Sequence, residues 1–201
     1  MIDDFKKRIY DLGSFFHDVI YLARNIPGVI DALCCRRVSK SFRAKLNMAV
    51  ISVLGCRYCS WLHSEIALAQ GVEGKELKSL LSQEIGDFPE EEAIALAFAQ
   101  HYSETGGTPH KEAEKSFYEY YDKKLAENIV IYIRIIYLGN LSGNTIDAFF
   151  NRLKGQPVDG SRLWAELVIF ALLGPYYLVI LPLIAHILQS KNRGKADEVI
   201  D

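Results

Sequence analysis

The chain has 201 residues, half of them hydrophobic and 24% charged, with a formal net charge of −2. That length suits one domain with a real core, or one domain plus an appendage. The charge balance, with a pI near 6.2, leaves no electrostatic footprint for nucleic acid, and four cysteines are too few for a disulfide scaffold.

Nearly every segment reads as helix. Residues 2–24 place Ile2, Phe5, Ile9, Leu12, Phe15, Phe16, Val19, Ile20 and Leu22 mostly three or four apart, an amphipathic helix. Its charged start lacks the apolar run of a signal peptide, so a cytoplasmic location is expected. Ile26-Pro27-Gly28 breaks the pattern. Residues 29–37 form a short helix with Arg36 and Arg37 near its end. Residues 41–54 are the next apolar run, closed by Gly55.

Residues 57–70 form a helix stopped by Gly71, and 73–83 form a short one. Pro89 with Glu90, Glu91 and Glu92 opens another, because proline suits a first turn and acids suit the positive end of the helix dipole. Gly106-Gly107 ends it. Thr108 as N-cap and Pro109 at the first helical position start the next. A long helix covers about 122–153, and the small residues of Gly139-Asn140-Leu141-Ser142-Gly143-Asn144 predict close helix–helix approach or a bend. Lys154-Gly155-Gln156-Pro157 is a linker. No strand-like alternation persists, so the fold class is all-α.

Residues 163–188 carry one formal charge, Glu166. As a helix they would reach about 39 Å, more than a bilayer core of about 30 Å. Arg152, Lys154 and Arg162 flank one end, and Lys191, Arg193 and Lys195 the other. Gly174-Pro175 and Pro182 are expected to kink or break the segment. Two readings stand side by side: membrane contact, or two short helices buried at a subunit interface. The chain therefore divides into residues 1–155 and an apolar C-terminal segment, 156–201.

The chemistry concentrates in Gly55-Cys56-Arg57-Tyr58-Cys59-Ser60-Trp61-Leu62-His63. On a helix Cys56, Cys59 and His63 fall within an arc of roughly 60°. A thiolate is the reactive form of cysteine, so a working pair needs a lowered pKa. A helix N-terminus favours negative charge there, and His63, one turn beyond Cys59, can exchange a proton. Such a pair can close to a disulfide, with a sulfenic acid as intermediate when a peroxide is reduced. Two rivals remain. Cys56, Cys59 and His63 could supply three zinc ligands, although no fourth is evident. Alternatively, both cysteines simply pack in the core.

Other candidates are weaker. His101 and His110 read as surface or capping residues, and His17 and His186 as satisfied structural histidines. Cys34 and Cys35 read as free thiols, since a bridge between neighbours is strained. No phosphate-binding glycine loop, GxSxG elbow or HExxH is present.

The run Leu46-Asn47-Met48-Ala49-Val50-Ile51-Ser52-Val53-Leu54-Gly55-Cys56-Arg57-Tyr58-Cys59-Ser60-Trp61-Leu62-His63 resembles the signature of the carboxymuconolactone decarboxylase superfamily. More closely it is similar to the alkylhydroperoxidase D-like branch, whose CxxCxxxH follows an apolar helix. Tyr132-Ile133-Arg134-Ile135 and the stretch Gly139 to Phe149 extend the likeness, which covers about residues 40–153. The resemblance implies an all-α bundle assembled as a homo-oligomer, a trimer or hexamer. It implies reduction of a hydroperoxide or a protein disulfide, reset by an external dithiol, with no cofactor and no metal. It also implies that Cys59 becomes the sulfenic acid, that Cys56 is its proton donor and disulfide partner, and that His63 belongs to a proton relay. The cysteine pair speaks against decarboxylation. One position departs from the pattern: the relay glutamate twelve residues before the first cysteine is Ala44 here. Arg43 or Lys45 is then the candidate to favour a thiolate. A noncatalytic, membrane-associated protein that kept the fold is the alternative.

Overall fold

The computed structural model describes residues 7–34 and 37–184. Among them there are nine α-helices and no strand: α1 (Leu12–Arg24), α2 (Ile26–Cys34), α3 (Lys40–Leu54), α4 (Arg57–Ala69), α5 (Gly74–Leu81), α6 (Glu90–Glu104), α7 (Lys111–Tyr120), α8 (Lys123–Leu153) and α9 (Leu163–Pro175). The all-α class read from the sequence holds. Residues 2–6, Cys35 and His186 lie outside the described residues.

Two helices organise the rest. In α3, Leu46, Met48, Ala49, Val50, Ile51 and Leu54 are all buried, so this helix has almost no wet side. It packs on α4, α5, α6 and α8. α8 is 31 residues long and touches α1, α2, α3, α4, α6, α7 and α9. It passes through Gly139 to Asn144 without a break. Of the two expectations for that stretch, close approach is the one realised. Asn144 explains part of it: its Nδ2 donates to Leu54 O at 2.9 Å and to Arg8 O at 3.0 Å. A buried amide thus pins the end of α3 and the N-terminal segment to one point of α8.

Several boundaries differ from the sequence reading, each for a local reason. Residues 7–11 are not helical. Tyr10 N–H donates to Thr145 Oγ1 at 2.9 Å, and Asp11 caps α1 by accepting from Ser14 N–H at 3.1 Å. The break falls at Asn25, so Pro27 sits in the first turn of α2, where its missing N–H costs nothing. Thr108 and Pro109 precede α7 without capping it. Thr108 Oγ1 donates back to Thr105 O at 2.8 Å, and the N-cap is His110. His110 N–H donates to His101 Nε2 at 3.1 Å, which ties the start of α7 to α6. His17 is a correction: it is exposed beside Asp18, and no apolar surroundings hold it.

The described part of the C-terminal segment is one helix rather than two. It runs from Leu163 to Ile184 through a π-helical turn, Tyr176–Ile180, in which Leu181 N–H donates to Tyr176 O. Pro175 and Pro182 each remove an N–H from the ladder, and the wide turn lies between them. The helix packs against α8 and joins the common core through Ile169, Tyr177 and Leu181. Its Glu166 is fully buried and accepts from Arg152 Nη2 at 3.0 Å. Both α8 and the helix Leu163–Ile184 are long and apolar enough to cross a membrane, with mean hydropathy 1.2 and 2.4. They differ in surroundings: 67% of the α8 window is buried in protein, but only 22% of the later one.

Replacing Asn144 by Ala leaves the Leu54 and Arg8 carbonyls without their donor. The expected loss is about 1–3 kcal/mol of stability, read as a lower midpoint of denaturant unfolding with an unchanged slope.

Candidate thiol centre between α3, α4 and α8

The site begins at a helix stop. Gly55 ends α3 with φ +67°, a left-handed turn that suits a residue without Cβ. The turn delivers Cys56 as the N-cap of α4, where its Sγ accepts from Cys59 N–H at 3.4 Å. The two sulfurs approach to 2.7 Å. Both residues are buried, Cys56 completely and Cys59 with 5% of its surface exposed. α8 closes the far side. A Cβ on Gly143 would stand 2.9 Å from Cys56 Sγ and 3.0 Å from Tyr177 Cε1. Tyr177, from the C-terminal helix, donates its hydroxyl to Gly139 O.

A cleft of about 430 Å3 is bounded by Ile51, Ser52, Gly55, Cys56, Ser60, Trp61 and Leu81. None of these side chains is charged. Trp61 and Leu81 are close to half exposed, so the mouth is apolar.

Cys59 is held as a thiol by its surroundings. The hydrogen bond to Cys56 sulfur is the largest influence on Cys59 and pushes its pKa well up, and burial adds to it. Charge at Lys7 acts in the other direction. Lys7 Nζ bonds Asp147 Oδ2 at 3.0 Å, one helical turn beyond Gly143. Its aliphatic stem lies over Gly55. The cations suggested by the sequence are engaged elsewhere. Lys45 is bridged to Glu76 at 2.6 Å and Glu92 at 2.8 Å. Arg43 donates to Leu33 O.

The structure brings Cys56 and Cys59 together and places His63 one turn on, but bonded to another group. His63 Nδ1 lies 3.1 Å from Asn47 Nδ2. With the amide as donor, Nδ1 is the acceptor and the ring proton sits on Nε2. Burial pushes the His63 pKa down to about 4, so the imidazole is neutral at pH 7. The Asn47 amide also reaches Tyr132, whose pKa burial raises and that hydrogen bond lowers. Among the described residues no hydrogen bond joins His63 to Cys59, and no group of three or more His, Cys, Asp or Glu side chains is gathered to hold a metal ion. Ala44 is buried. The polar group facing His63 comes instead from Asn47, one turn along α3. Asn47 carried a signal in the sequence, as the lone amide in an apolar helix. Lys7, Asp147 and Tyr177 carried none, since they reach the site from distant segments.

Two outcomes follow. Gly143→Ala forces either Cys56 or Tyr177 to move, at an overpacking cost of about 1–3 kcal/mol, with slower closure of the Cys56–Cys59 disulfide in a diamide assay. His63 stays neutral in the fold down to about pH 4, whereas an unfolded histidine takes up its proton near pH 6.5. Between those values the unfolded chain binds more protons, so stability falls as pH falls. Urea midpoints of a His63→Phe variant should lose that part of the slope.

No protein-family model, curated protein or solved structure matches this chain.

Proposed function

We propose that the chain is a thiol oxidoreductase whose Cys56–Cys59 pair cycles between dithiol and disulfide to reduce a hydroperoxide or a disulfide. The observation that carries this reading is the 2.7 Å approach of the two sulfurs at the N-terminus of α4. Thiols packed only for bulk need no such contact, and α8 passes so close beside it that only glycine fits at position 143.

The geometry favours a division of labour opposite to that implied by the family resemblance. Cys56 is the N-cap, accepts a backbone N–H, and borders the cleft. The contact with Cys56 and burial push the Cys59 pKa up, so Cys59 holds its proton until the first step. Cys56 thiolate therefore attacks the terminal oxygen of ROOH. The S–O bond forms, the O–O bond breaks, and the alkoxide leaves as ROH with the Cys59 proton. Cys59 thiolate then attacks the sulfenic sulfur, expels hydroxide and closes the disulfide. A disulfide substrate is attacked the same way, with a thiolate as leaving group. An external dithiol returns the pair to its reduced state. Asn47 orients neutral His63, which serves as a neighbouring polar group rather than as a charged acid. The reading extends to an alkylhydroperoxidase D-like member of the carboxymuconolactone decarboxylase superfamily, acting as a cytoplasmic homo-oligomer.

A second reading, a noncatalytic membrane-associated protein, draws on the exposed apolar helix Leu163–Ile184. An inert thiol pair would select it.

The test is single-turnover reaction with cumene hydroperoxide, followed by mass spectrometry. Wild type should lose two hydrogens and release one equivalent of alcohol. Cys59→Ser should trap a sulfenic acid on Cys56, and Cys56→Ser should be unreactive. Sulfenic acid on Cys59 instead would restore the order implied by the resemblance. Peroxide consumption undiminished in both variants would remove the thiol mechanism.

A further inference from the structure

The helix Leu163–Ile184 has two unlike sides. Its inner side is fixed to the bundle. Glu166 and Ile169 are fully buried, and Tyr177 and Leu181 nearly so. Glu166 is paired with Arg152, and the Tyr177 hydroxyl is bonded to Gly139 O. Phe170 packs on Phe149 with ring centroids 4.8 Å apart. From residue 166 to residue 181 this attachment covers about 22 Å of helix.

The outer side is bare. Trp164 is 73% exposed, Leu172 59%, Val179 63% and Leu183 57%. Exposed apolar area of this extent on one element marks an interaction site. The chemistry of the face says what covers it. A protein interface carries about one hydrogen bond per 100–200 Å2. Apart from Trp164 Nε1 and the Tyr176 hydroxyl, this face offers no side chain able to make one. Hydrocarbon asks for none. Lys154 and Arg162, both exposed, stand at its start, and the sequence beyond its end continues to Lys191, Arg193 and Lys195. Exposed basic groups at the start of an apolar helix complement anionic headgroups.

Attachment along one whole side also fixes the orientation. To cross the bilayer this helix would have to leave the bundle or carry α8 in with it. This one is fastened along its length to α8, which six further helices surround.

We infer that the outer face of Leu163–Ile184 lies in the plane of an anionic bilayer surface, without crossing it, and holds the thiol centre at the membrane. Tyr177 links the two. Its ring borders the same space beside Gly143 as Cys56 Sγ, so the sulfurs sit about one helix diameter, roughly 10 Å, from the lipid. The substrates of the pair are then those carried in, or presented at, a membrane. That consequence rests on the proposed thiol chemistry, whereas the docking itself does not.

The experiment is flotation of the full chain with vesicles of equal parts phosphatidylcholine and phosphatidylglycerol, beside pure phosphatidylcholine. It is run on wild type and on a Cys56→Ser/Cys59→Ser variant, so loss of thiol chemistry and loss of docking are scored separately. Both proteins should float with the anionic vesicles, bind pure phosphatidylcholine less, and come off in alkaline carbonate. Leu172→Glu and Val179→Glu point outward. Each should weaken binding about tenfold or more with an unchanged thermal melt. Resistance to carbonate would mean that the helix crosses, and would overturn the inference. So would absence of flotation, including the case in which the chain forms an oligomer that Val179→Glu splits, which would assign the face to a second copy.

Discussion

Where α8 passes the start of α4, the two helices come so close that residue 143 has no room for a side chain. The surroundings depend on that approach. One turn before it, Gly139 offers its carbonyl to Tyr177. Beside it, Asn144 ties down Leu54, the last residue of α3, and with it the turn that presents Cys56. One turn after it, Asp147 holds Lys7. A single stripe of small and polar residues on one helix thus gathers the N-terminal segment, the α3–α4 corner and the C-terminal helix around two sulfurs. The bonds to the Gly139 carbonyl, from Asn144 Nδ2 and to the Asp147 carboxylate offset part of the cost of burying polar groups here.

Burial then decides the electrostatics. In a site this dry, charge is expensive and a neighbouring dipole counts for more than in water. His63 responds by staying neutral. Cys59 keeps its proton, and the N–H that Cys59 offers at the helix N-terminus goes to Cys56. Lys45 keeps its charge in the interior only through Glu76 and Glu92. The two cysteines differ in position. Cys56 precedes the helix and faces its amides, and Cys59 lies inside the first turn.

The C-terminal helix serves the same centre from the other side. Its inner face supplies Tyr177, and its outer face supplies the bare leucines and valine. An ion pair at Glu166 and a hydrogen bond at Tyr177 hold it in one register, so whatever engages the outer face bears on the wall of the thiol centre. The π-helical turn at Tyr176–Ile180 falls where that wall is built, as such turns often do near functional positions.

Local signals determined that the chain is helical: apolar residues three and four apart in α1, and proline, acidic and glycine residues at helix ends elsewhere, depend only on neighbouring residues. The helix stop at Gly55 and the position of the cysteine pair at the N-terminus of α4 were equally legible, since each depends on neighbours within one turn. The start of α1 at Leu12 was not, because the register of residues 7–11 is set by Thr145, far along the chain. Nor were the partners of the site. Lys7 is 140 residues from Asp147, and Tyr177 meets Cys56 only because α9 folds back along α8. Lys45 looked available in the sequence and proved to be spent on two glutamates from α5 and α6. The sequence by itself determined which residues share a helix face. The tertiary structure decided which charges, amides and rings meet them there, because those contacts join segments whose separation along the chain carries no local signal.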